Sequence, residues 1–288
     1  MKKIGVIGAT GHLGKHVTIA LAAQTNYEVY ALVRNKNKAQ TILPKEVKLV
    51  EGDILDRRSI KNFLTQVDYL YINLSVLHNQ KKTDLLTERE GLILLLEEAK
   101  LAGIKQVGYI SSLVMRYNGM NNFSWWVFDV KQKAVEHIKN SGIPYLIFYP
   151  SNFMDNFHHV YRDGHKILLA GTSYHKMYFI AAQDFAKQVV QAFEKFDVQS
   201  KDFVIQGPEG FTADEAAALF VREYKKEKLT ISKAPLGLLT FLGYFVQKIN
   251  YGAHIVEALN NYPEKFEAEE TWQALGKPEI TLAQFARS

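Results

Sequence analysis

The chain has 288 residues, 47% hydrophobic and 23% charged, and these proportions exclude a disordered, a collagen-like and a disulfide-rich protein. Thirty-five lysines and arginines against thirty acids give a formal net charge of +5, which favours anionic ligands slightly but does not by itself indicate nucleic acid. The absence of cysteine excludes disulfides, thiolate catalysis and cysteine-ligated zinc, and it suits a reducing compartment.

Two apolar segments are candidates for a targeting or membrane element. The run that begins at Ile4 is too short for a signal core and breaks at Gly8. The second segment, Pro235–Val246, falls below the ~20 apolar residues that a membrane helix needs, so we predict a buried or pocket-lining helix there. We therefore expect a soluble, cytoplasmic protein with no membrane partner and no direct nucleic-acid partner.

The first half of the chain alternates strand and helix patterns. Short apolar runs predict six strands, at Ile4–Ile7, Glu28–Val33, Val47–Glu51, Tyr69–Leu74, Gln106–Ser111 and Tyr145–Tyr149. Helical periodicity predicts helices at His12–Ala23, Arg57–Thr65, Thr83–Ala102 and Ser124–Ser141. Strands that are apolar on both faces, separated by such helices, predict an α/β fold with a doubly wound parallel sheet.

The pattern changes after Pro150. A loop-rich stretch with many histidines and aromatic residues leads into predicted helices and one strand, at Gln183–Phe196, Phe203–Gln206 and Thr212–Glu223, and then into mostly helical sequence. No low-complexity linker separates the two parts. We therefore predict a first domain over residues 1–150 and a smaller, mostly helical lobe over residues 151–288 that returns some segments to the main sheet. The cleft between them is the expected ligand site.

A glycine motif lies between the first predicted strand and helix. It reads G-x-x-G-x-x-G and consists of Gly8, Ala9, Thr10, Gly11, His12, Leu13 and Gly14. In such a motif the first glycine permits a tight turn, the second lets the backbone approach a pyrophosphate, and the third allows close packing of helix and sheet. Because the helix then presents its amino end to the phosphates, the motif predicts a dinucleotide site.

The end of the second predicted strand selects between NAD and NADP. An NAD site usually has an acid there, whereas residues 34–38 hold three cations and no acid. Arg34 can form a fork against a 2′-phosphate, with Lys38 one turn away. This favours NADP(H) as cofactor; a solvated basic loop is the alternative.

Asp53 and Ile54 follow the third predicted strand, at the adenine end of such a site. The Asp53 carboxylate can accept from the adenine amino group, and the Ile54 amide can donate to the ring. Asp53 can equally cap the helix that begins near Arg57. Asp56 is the better candidate for the cap by position.

Several motifs together resemble the NmrA-like atypical short-chain dehydrogenases. Besides the glycine motif, they are Val33-Arg34-Asn35, residues 52–56 (GDILD), residues 141–145 (SGIPY), residues 150–157 (PSNFMDNF), Ile180–Phe196 with Asp184, and residues 203–209 (FVIQGPE) followed by Thr212. The resemblance spans nearly the whole chain and implies a Rossmann fold and an NAD(P) cofactor. The family includes NADPH-dependent quinone and phenolic-compound reductases and also non-catalytic redox sensors, so it does not fix the reaction.

One departure concerns the Tyr-x-x-x-Lys motif of ordinary short-chain dehydrogenases, in which the lysine lowers the pKa of the tyrosine that transfers the proton. Here Lys131 occupies the lysine position, but Val127 replaces the tyrosine. This also weakens a sugar-nucleotide epimerase interpretation. Lys131 remains the candidate catalytic residue: it can hold the nicotinamide ribose or donate a proton directly, and a surface lysine is the alternative.

The crevice beyond the strand ends and the resemblance together imply further cofactor contacts. Leu74, Ser75 and Val76 are expected beside the adenosine ribose and pyrophosphate. Ser111 and Ser112 take the place of the substrate-binding serine of ordinary short-chain dehydrogenases, or else simply end their strand. Around the nicotinamide we expect main-chain groups, with Phe153 packed on the ring, from Tyr149, Pro150, Ser151, Asn152 and Phe153.

Histidines and aromatic residues give weaker patterns. His12 and His16 lie four residues apart, but no carboxylate completes a metal motif, so we expect no metal. One of His158 and His159 is a candidate for lining the cleft. Eight aromatic residues either form a pocket for a flat substrate or belong to the core and the contact between lobes: Trp125, Trp126, Phe128, Phe153, Phe157, Tyr161, Phe241 and Tyr244.

Two hypotheses of function follow. The first is an NADPH-dependent oxidoreductase that passes hydride to a flat, electron-poor small molecule such as a quinone, which needs little acid assistance and so tolerates the missing tyrosine. The second is a non-catalytic sensor of the NADPH/NADP balance that changes its affinity for a regulatory protein partner.

Overall fold

The computed structural model describes residues 1–288 and contains a seven-stranded sheet in which all neighbouring strands are parallel. The strands are β1 Lys2–Ile7, β2 Tyr27–Val33, β3 Lys48–Glu51, β4 Tyr69–Ile72, β5 Gln106–Ile110, β6 Tyr145–Pro150 and β10 Lys201–Ile205. Their order is β10-β6-β5-β4-β1-β2-β3. Strands β2 and β3 are added on one side of β1, and β4 and the later strands on its other side. This change of side, between β1 and β4, is where a doubly wound sheet binds its ligand.

Helices cover both faces of this sheet. The helices of the first half are α1 Gly14–Ala22, α2 Lys36–Gln40, α3 Arg57–Leu64, α4 Leu92–Leu101 and α5 Trp126–Asn140; those of the second half are α6 Asn156–His159, α7 Ala182–Lys195, α8 Ala213–Glu223, α9 Leu236–Gly243, α10 Gln247–Asn261, α11 Glu269–Leu275 and α12 Leu282–Arg287. Apolar side chains of α1 and α7 fill the core on one face, and those of α3, α4 and α5 fill it on the other. The predicted doubly wound α/β fold is therefore confirmed.

The second half of the chain adds to the main sheet and also forms an apolar core of its own. Strand β10 and helix α7 belong to the main sheet and its covering layer. The remaining segments form a separate apolar core around Phe157, Phe179 and Phe220. Its short strands are β7 Arg162–Asp163, β8 Lys166–Ala170, β9 Met177–Tyr178, β11 Gly210–Phe211 and β12 Thr230–Ala234.

Two predicted elements differ from the structure. The helix expected over Thr83–Ala102 begins later, because the chain first forms a turn of π-helix at Thr87–Gly91 before α4. The segment Pro235–Val246 is helical but not buried: Phe241 is 59% exposed and Phe245 75% exposed. Its apolar composition predicted a buried or pocket-lining helix, and burial was wrong because α9 packs chiefly against α10 and leaves these rings exposed. No helix of the chain has both the length and the apolar character needed to cross a membrane.

Candidate functional site

The glycine motif forms a turn pressed against the end of β4. Gly8 has a φ of +79°, and a Cβ atom there would lie 2.1 Å from the Asn73 carbonyl oxygen. A Cβ at Gly14 would lie 2.1 Å from the Gly8 carbonyl oxygen. Neither position accepts a side chain without a shift of the backbone. The turn, which also contains Thr10, therefore brings α1 as close to the sheet as a phosphate cradle requires.

The amino end of α1 is open. Leu13 precedes the helix without a capping side-chain hydrogen bond, and no acid lies in the first turn. Asn73, which sequence reasoning missed, lies directly under this turn, with its Nδ2 atom 3.0 Å from the position of a Cβ at Gly14. The unpaired amides and the helix dipole make this end a site for an anion.

The second lobe reaches over the same turn. The His159 ring stacks on the His12 ring with centroids 4.3 Å apart. The His16 imidazole lies 3.8 Å from a carboxylate oxygen of Asp155. Burial lowers the pKa of His16, and burial followed by the charge of His12 lowers the pKa of His159. His159 thus lies on the glycine turn, a contact between distant segments that no sequence pattern indicated.

The basic loop after β2 is free of acids. Arg34 is exposed and forms no ion pair, and Asn35 caps α2 by accepting from the Lys38 amide at 2.9 Å. Lys38 therefore lies in the first turns of a short helix that begins beside Arg34. Arg34 and Lys38, both exposed and without an ion pair, are thus free to bind an anion at the end of β2.

The two acids after β3 have different partners. Asp56 caps α3, accepting from the amides of Arg58 and Ser59, so the predicted preference for Asp56 as the cap is correct. The Asp53 carboxylate accepts from the Leu55 amide at 2.9 Å and is only partly exposed. Ile54 is buried against Gly91. The Asp53 side chain is thus held by its own turn, with one carboxylate oxygen left for another donor.

Lys131 is the centre of a buried polar cluster. Its ammonium group is paired with Glu88, and it also donates to the Leu74 carbonyl at 3.2 Å. The Tyr109 hydroxyl donates to the same Glu88 oxygen at 2.7 Å. The Lys131 side chain is 12% exposed and that of Glu88 is fully buried. Lys131 is therefore not a surface lysine, which removes that alternative.

Glu88 was missed because the predicted helix over Thr83–Ala102 gave it no special position. The π-helical turn places it inside, and such turns are frequent at functional sites. Its Oε2 atom is buried without a hydrogen-bond partner. Burial and the charge of Glu88 raise the pKa of Tyr251, from α10, to about 12, and this phenol, packed against the ring of His78 at 4.5 Å, stays protonated at neutral pH.

The residues near Lys131 differ in accessibility. Ser75 is exposed, whereas Leu74 and Val76 are buried. Ser111 is 4% exposed, and its hydroxyl lies 3.4 Å from the Met115 sulfur. The Met115 sulfur therefore covers one side of the Ser111 hydroxyl. Ser75 is the more accessible of the two serines.

Most polar groups of the loop after β6 already form hydrogen bonds within the protein. Main-chain groups of Pro150, Ser151 and Asn152 already pair with Leu113, Ile205 and Ile180. The Ser151 hydroxyl donates to the buried Glu264 carboxylate at 2.9 Å. Tyr149 points toward Asp202, and Phe153 packs in the core against Phe185. The amides of Asn152 and Phe153 donate to no other group of the chain, so they can bind a further acceptor.

The predicted aromatic set does not form one pocket. Trp125 and Phe128 lie in the core on one face of the sheet, with Trp126 packed against it, and Phe153 lies in the core on the other face. Phe157 and Tyr161 belong to the second lobe, while Phe241 and Tyr244 are exposed. The core and inter-lobe interpretation holds for most of them. Within the core, Trp125 also contacts Tyr251 and His254 of α10, beside the Lys131 cluster.

The chain is similar in sequence and in structure to several known proteins. The model of the NmrA-like family matches residues 1–279. The photosystem II assembly factor Ycf39 of Guillardia theta is 29% identical over 88% of this chain and 80% of its own length. The NAD(P)H azoreductase of Xenophilus azovorans is 25% identical over 74% of this chain and 71% of its own. The NADPH complex of the quinone oxidoreductase QOR2 of Escherichia coli aligns over 98% of both chains with a TM-score of 0.71 and 20% identity.

Proposed function

The chain belongs to the NmrA-like family, and we propose that it is an NADPH-dependent oxidoreductase that transfers hydride to a flat, electron-poor acceptor such as a quinone. The observation that carries the choice of cofactor is the open amino end of α1 beside the unpaired Arg34, and it supports the second candidate below equally. In this proposal the helix end binds the pyrophosphate and Arg34 binds the 2′-phosphate, so together they select NADP(H). The names of the azoreductase and the quinone oxidoreductase agree with this class of reaction.

Each part of the site has a task in this proposal. The turn at Gly8, Gly11 and Gly14 and the stacked His12 and His159 bind the pyrophosphate, and NADPH, once bound, supplies the hydride. In this proposal Lys131 of α5, paired with Glu88, holds the ribose hydroxyls or neutralises charge on the reduced acceptor. A quinone suits this site because its reduced oxygen needs no strong acid, and Val127 leaves none at the usual tyrosine position.

The test is oxidation of NADPH at 340 nm against a panel of quinones and azo dyes, with NADH as paired control. We expect turnover that favours NADPH. Tight NADPH binding without turnover on any acceptor would contradict the oxidoreductase and support the second candidate.

That second candidate is a dinucleotide sensor without turnover. It is favoured by the Lys131–Glu88 pair, which occupies the lysine with a structural partner, and by the absence of the tyrosine. Its signature is a protein complex whose formation depends on NADPH or NADP and proceeds without oxidation of NADPH.

Replacement of Arg34 by alanine tests the 2′-phosphate contact. A hydrogen bond to a charged group contributes ~1.5–3 kcal/mol, so the Kd of NADPH should rise about tenfold to a hundredfold while that of NADH stays unchanged. Isothermal titration with both cofactors measures this. Arg222→Ala, on the surface of α8, is the matched control. An equal loss for both cofactors would remove the assigned role.

The histidines around the phosphate turn predict a dependence of stability on pH. Because His16 and His159 have lowered pKa values in the folded chain, the unfolded chain binds more protons just below pH 6.5. The free energy of unfolding should therefore fall as the pH drops through this range. Bound NADPH should reduce the fall, because its phosphates favour the charged imidazoles.

Thermal and urea unfolding between pH 8 and 5.5 measure this effect, with and without NADPH. The variant His16→Gln/His159→Gln should make the dependence shallower, whereas the exposed His137→Gln should not. Part of the dependence should remain, because burial also lowers the pKa of His78 and of His158. An unchanged slope in the double variant would show that other groups govern the acid instability.

A further inference from the structure

The helix α9 and the residues after it form an exposed apolar surface. We call it the apolar ridge, and it consists of Leu238, Phe241, Leu242, Tyr244, Phe245 and Val246. Tyr244 is 80% exposed. Isolated exposed apolar residues are ordinary, but six within nine consecutive positions mark a surface that contacts something.

A neighbouring loop extends this surface. Residues 77–86 expose Leu77 and Leu85, and they are held to α10 by a hydrogen bond of 2.9 Å from Gln247 to the Gln80 carbonyl. The His78 ring packs on Tyr251 of α10 at 4.5 Å. The loop and the apolar ridge are thus fixed to the same helix.

Lysines lie next to the apolar ridge and in the loop. Lys248 follows the ridge at the start of α10, and loop 77–86 contains Lys81 and Lys82, with Asp84 as its one acid. Lys81, Lys82 and Lys248 are exposed without an ion pair. Apolar side chains flanked by unpaired lysines are the pattern of a surface that inserts into an anionic lipid interface.

We propose that the apolar ridge and loop 77–86 dock this protein on the surface of a membrane that contains anionic lipid. Apart from Thr240, the exposed side chains of α9 are Leu and Phe, so this surface fits a fluid acyl layer better than a shaped protein groove. Tyr244 at its end suits the headgroup region, where tyrosine is enriched. A second copy of the chain is disfavoured as occupant, because a two-fold contact would place the lysines of both copies together.

The docking surface adjoins the Lys131 cluster. Loop 77–86 is the stretch of chain between Leu74, whose carbonyl binds Lys131, and Glu88, which pairs with it. Resting on the proposed function, this position indicates an acceptor with a long apolar tail that stays in the bilayer. One hydride from NADPH and one proton from water would reduce such a quinone to its hydroquinone and leave NADP⁺.

The test of docking is sedimentation of the full chain, without cofactor, with vesicles of equal parts phosphatidylglycerol and phosphatidylcholine. We expect binding to these vesicles and much weaker binding to phosphatidylcholine alone. Phe241→Ser/Phe245→Ser should weaken partition about tenfold or more. Lys81→Gln/Lys82→Gln should weaken it about fivefold per lysine.

Matched control variants remove an exposed apolar side chain or two exposed lysines outside the proposed docking surface. Leu101→Ser, on α4, takes away an apolar side chain that is 79% exposed. Lys45→Gln/Lys133→Gln removes two exposed lysines without ion pairs. Absence of binding to anionic vesicles, an equal loss in the controls, or a ridge-dependent dimer in place of vesicle binding would overturn the proposal.

A second measurement separates this proposal from the oxidoreductase. In vesicles that carry a tailed quinone, Phe241→Ser/Phe245→Ser should slow NADPH oxidation while leaving oxidation by a water-soluble quinone unchanged. If the variant changed the rates with the two quinones equally, the proposal of a tailed acceptor would be wrong. Vesicle binding without turnover on either quinone would reject the oxidoreductase and leave the docking surface in place.

Discussion

Replacement of Lys131 by methionine is expected to lower the free energy of unfolding by about 3 kcal/mol, because it leaves the fully buried Glu88 carboxylate without its counterion. The Tyr109 hydroxyl still donates to that carboxylate, but it carries no charge. The figure is at the lower end of the range for broken buried pairs, since the lysine is 12% exposed and water reaches it. Urea unfolding measures the loss.

The double variant Lys131→Met/Glu88→Gln is the decisive control. An amide at position 88 can still accept from Tyr109 and needs no counterion, so most of the lost free energy of unfolding should return. Comparable losses in the single and double variants would mean that the two side chains do not act as a pair. The same variants separate structure from cofactor binding: the double variant should be stable yet bind NADPH more weakly than the parent.

Replacement of Gly8 by alanine is expected to lower the free energy of unfolding by about 3 kcal/mol or more and to abolish NADPH binding. Two costs combine. A side chain at φ +79° is strained, and its Cβ would meet the Asn73 carbonyl oxygen at 2.1 Å. The turn can accept the methyl group only by moving away from β4, which opens the phosphate cradle.

Gly103 provides a matched comparison. It has a φ of +71°, and a Cβ there would meet no atom within 4 Å. Gly103→Ala should therefore cost only the strain, about 1 kcal/mol, and leave NADPH binding unchanged. Urea unfolding and calorimetric titration of both variants give the two numbers. Equal losses at the two glycines would show that the approach to Asn73 is unimportant.

Sequence patterns predicted the elements whose form depends on nearby residues. The apolar runs of β1 to β6 and the cap at Asp56 are of this kind, since their hydrogen bonds are local or repeat along the strand. The glycine turn also follows from local geometry, because positive φ values and close approach restrict the residue type.

The parts that sequence did not predict depend on distant contacts. Glu88 looked like an ordinary polar residue in a helix, and only the π-helical turn and the facing Lys131 bury it. His159 reaches His12 across nearly 150 positions of chain. Burial was predicted wrongly for α9, because apolar content alone does not say whether the same chain covers a surface.

The seventh strand of the sheet has a consequence for how the chain is made. β10 pairs with β6 along Leu146–Pro150, but it leaves the ribosome about fifty residues later. Until then β6 is a bare edge with unpaired main-chain groups, open to other nascent chains. Release of a product that stops near residue 150 would make that exposure permanent. We therefore expect such fragments to aggregate, and chaperone demand during synthesis to peak while residues 150–205 are being translated.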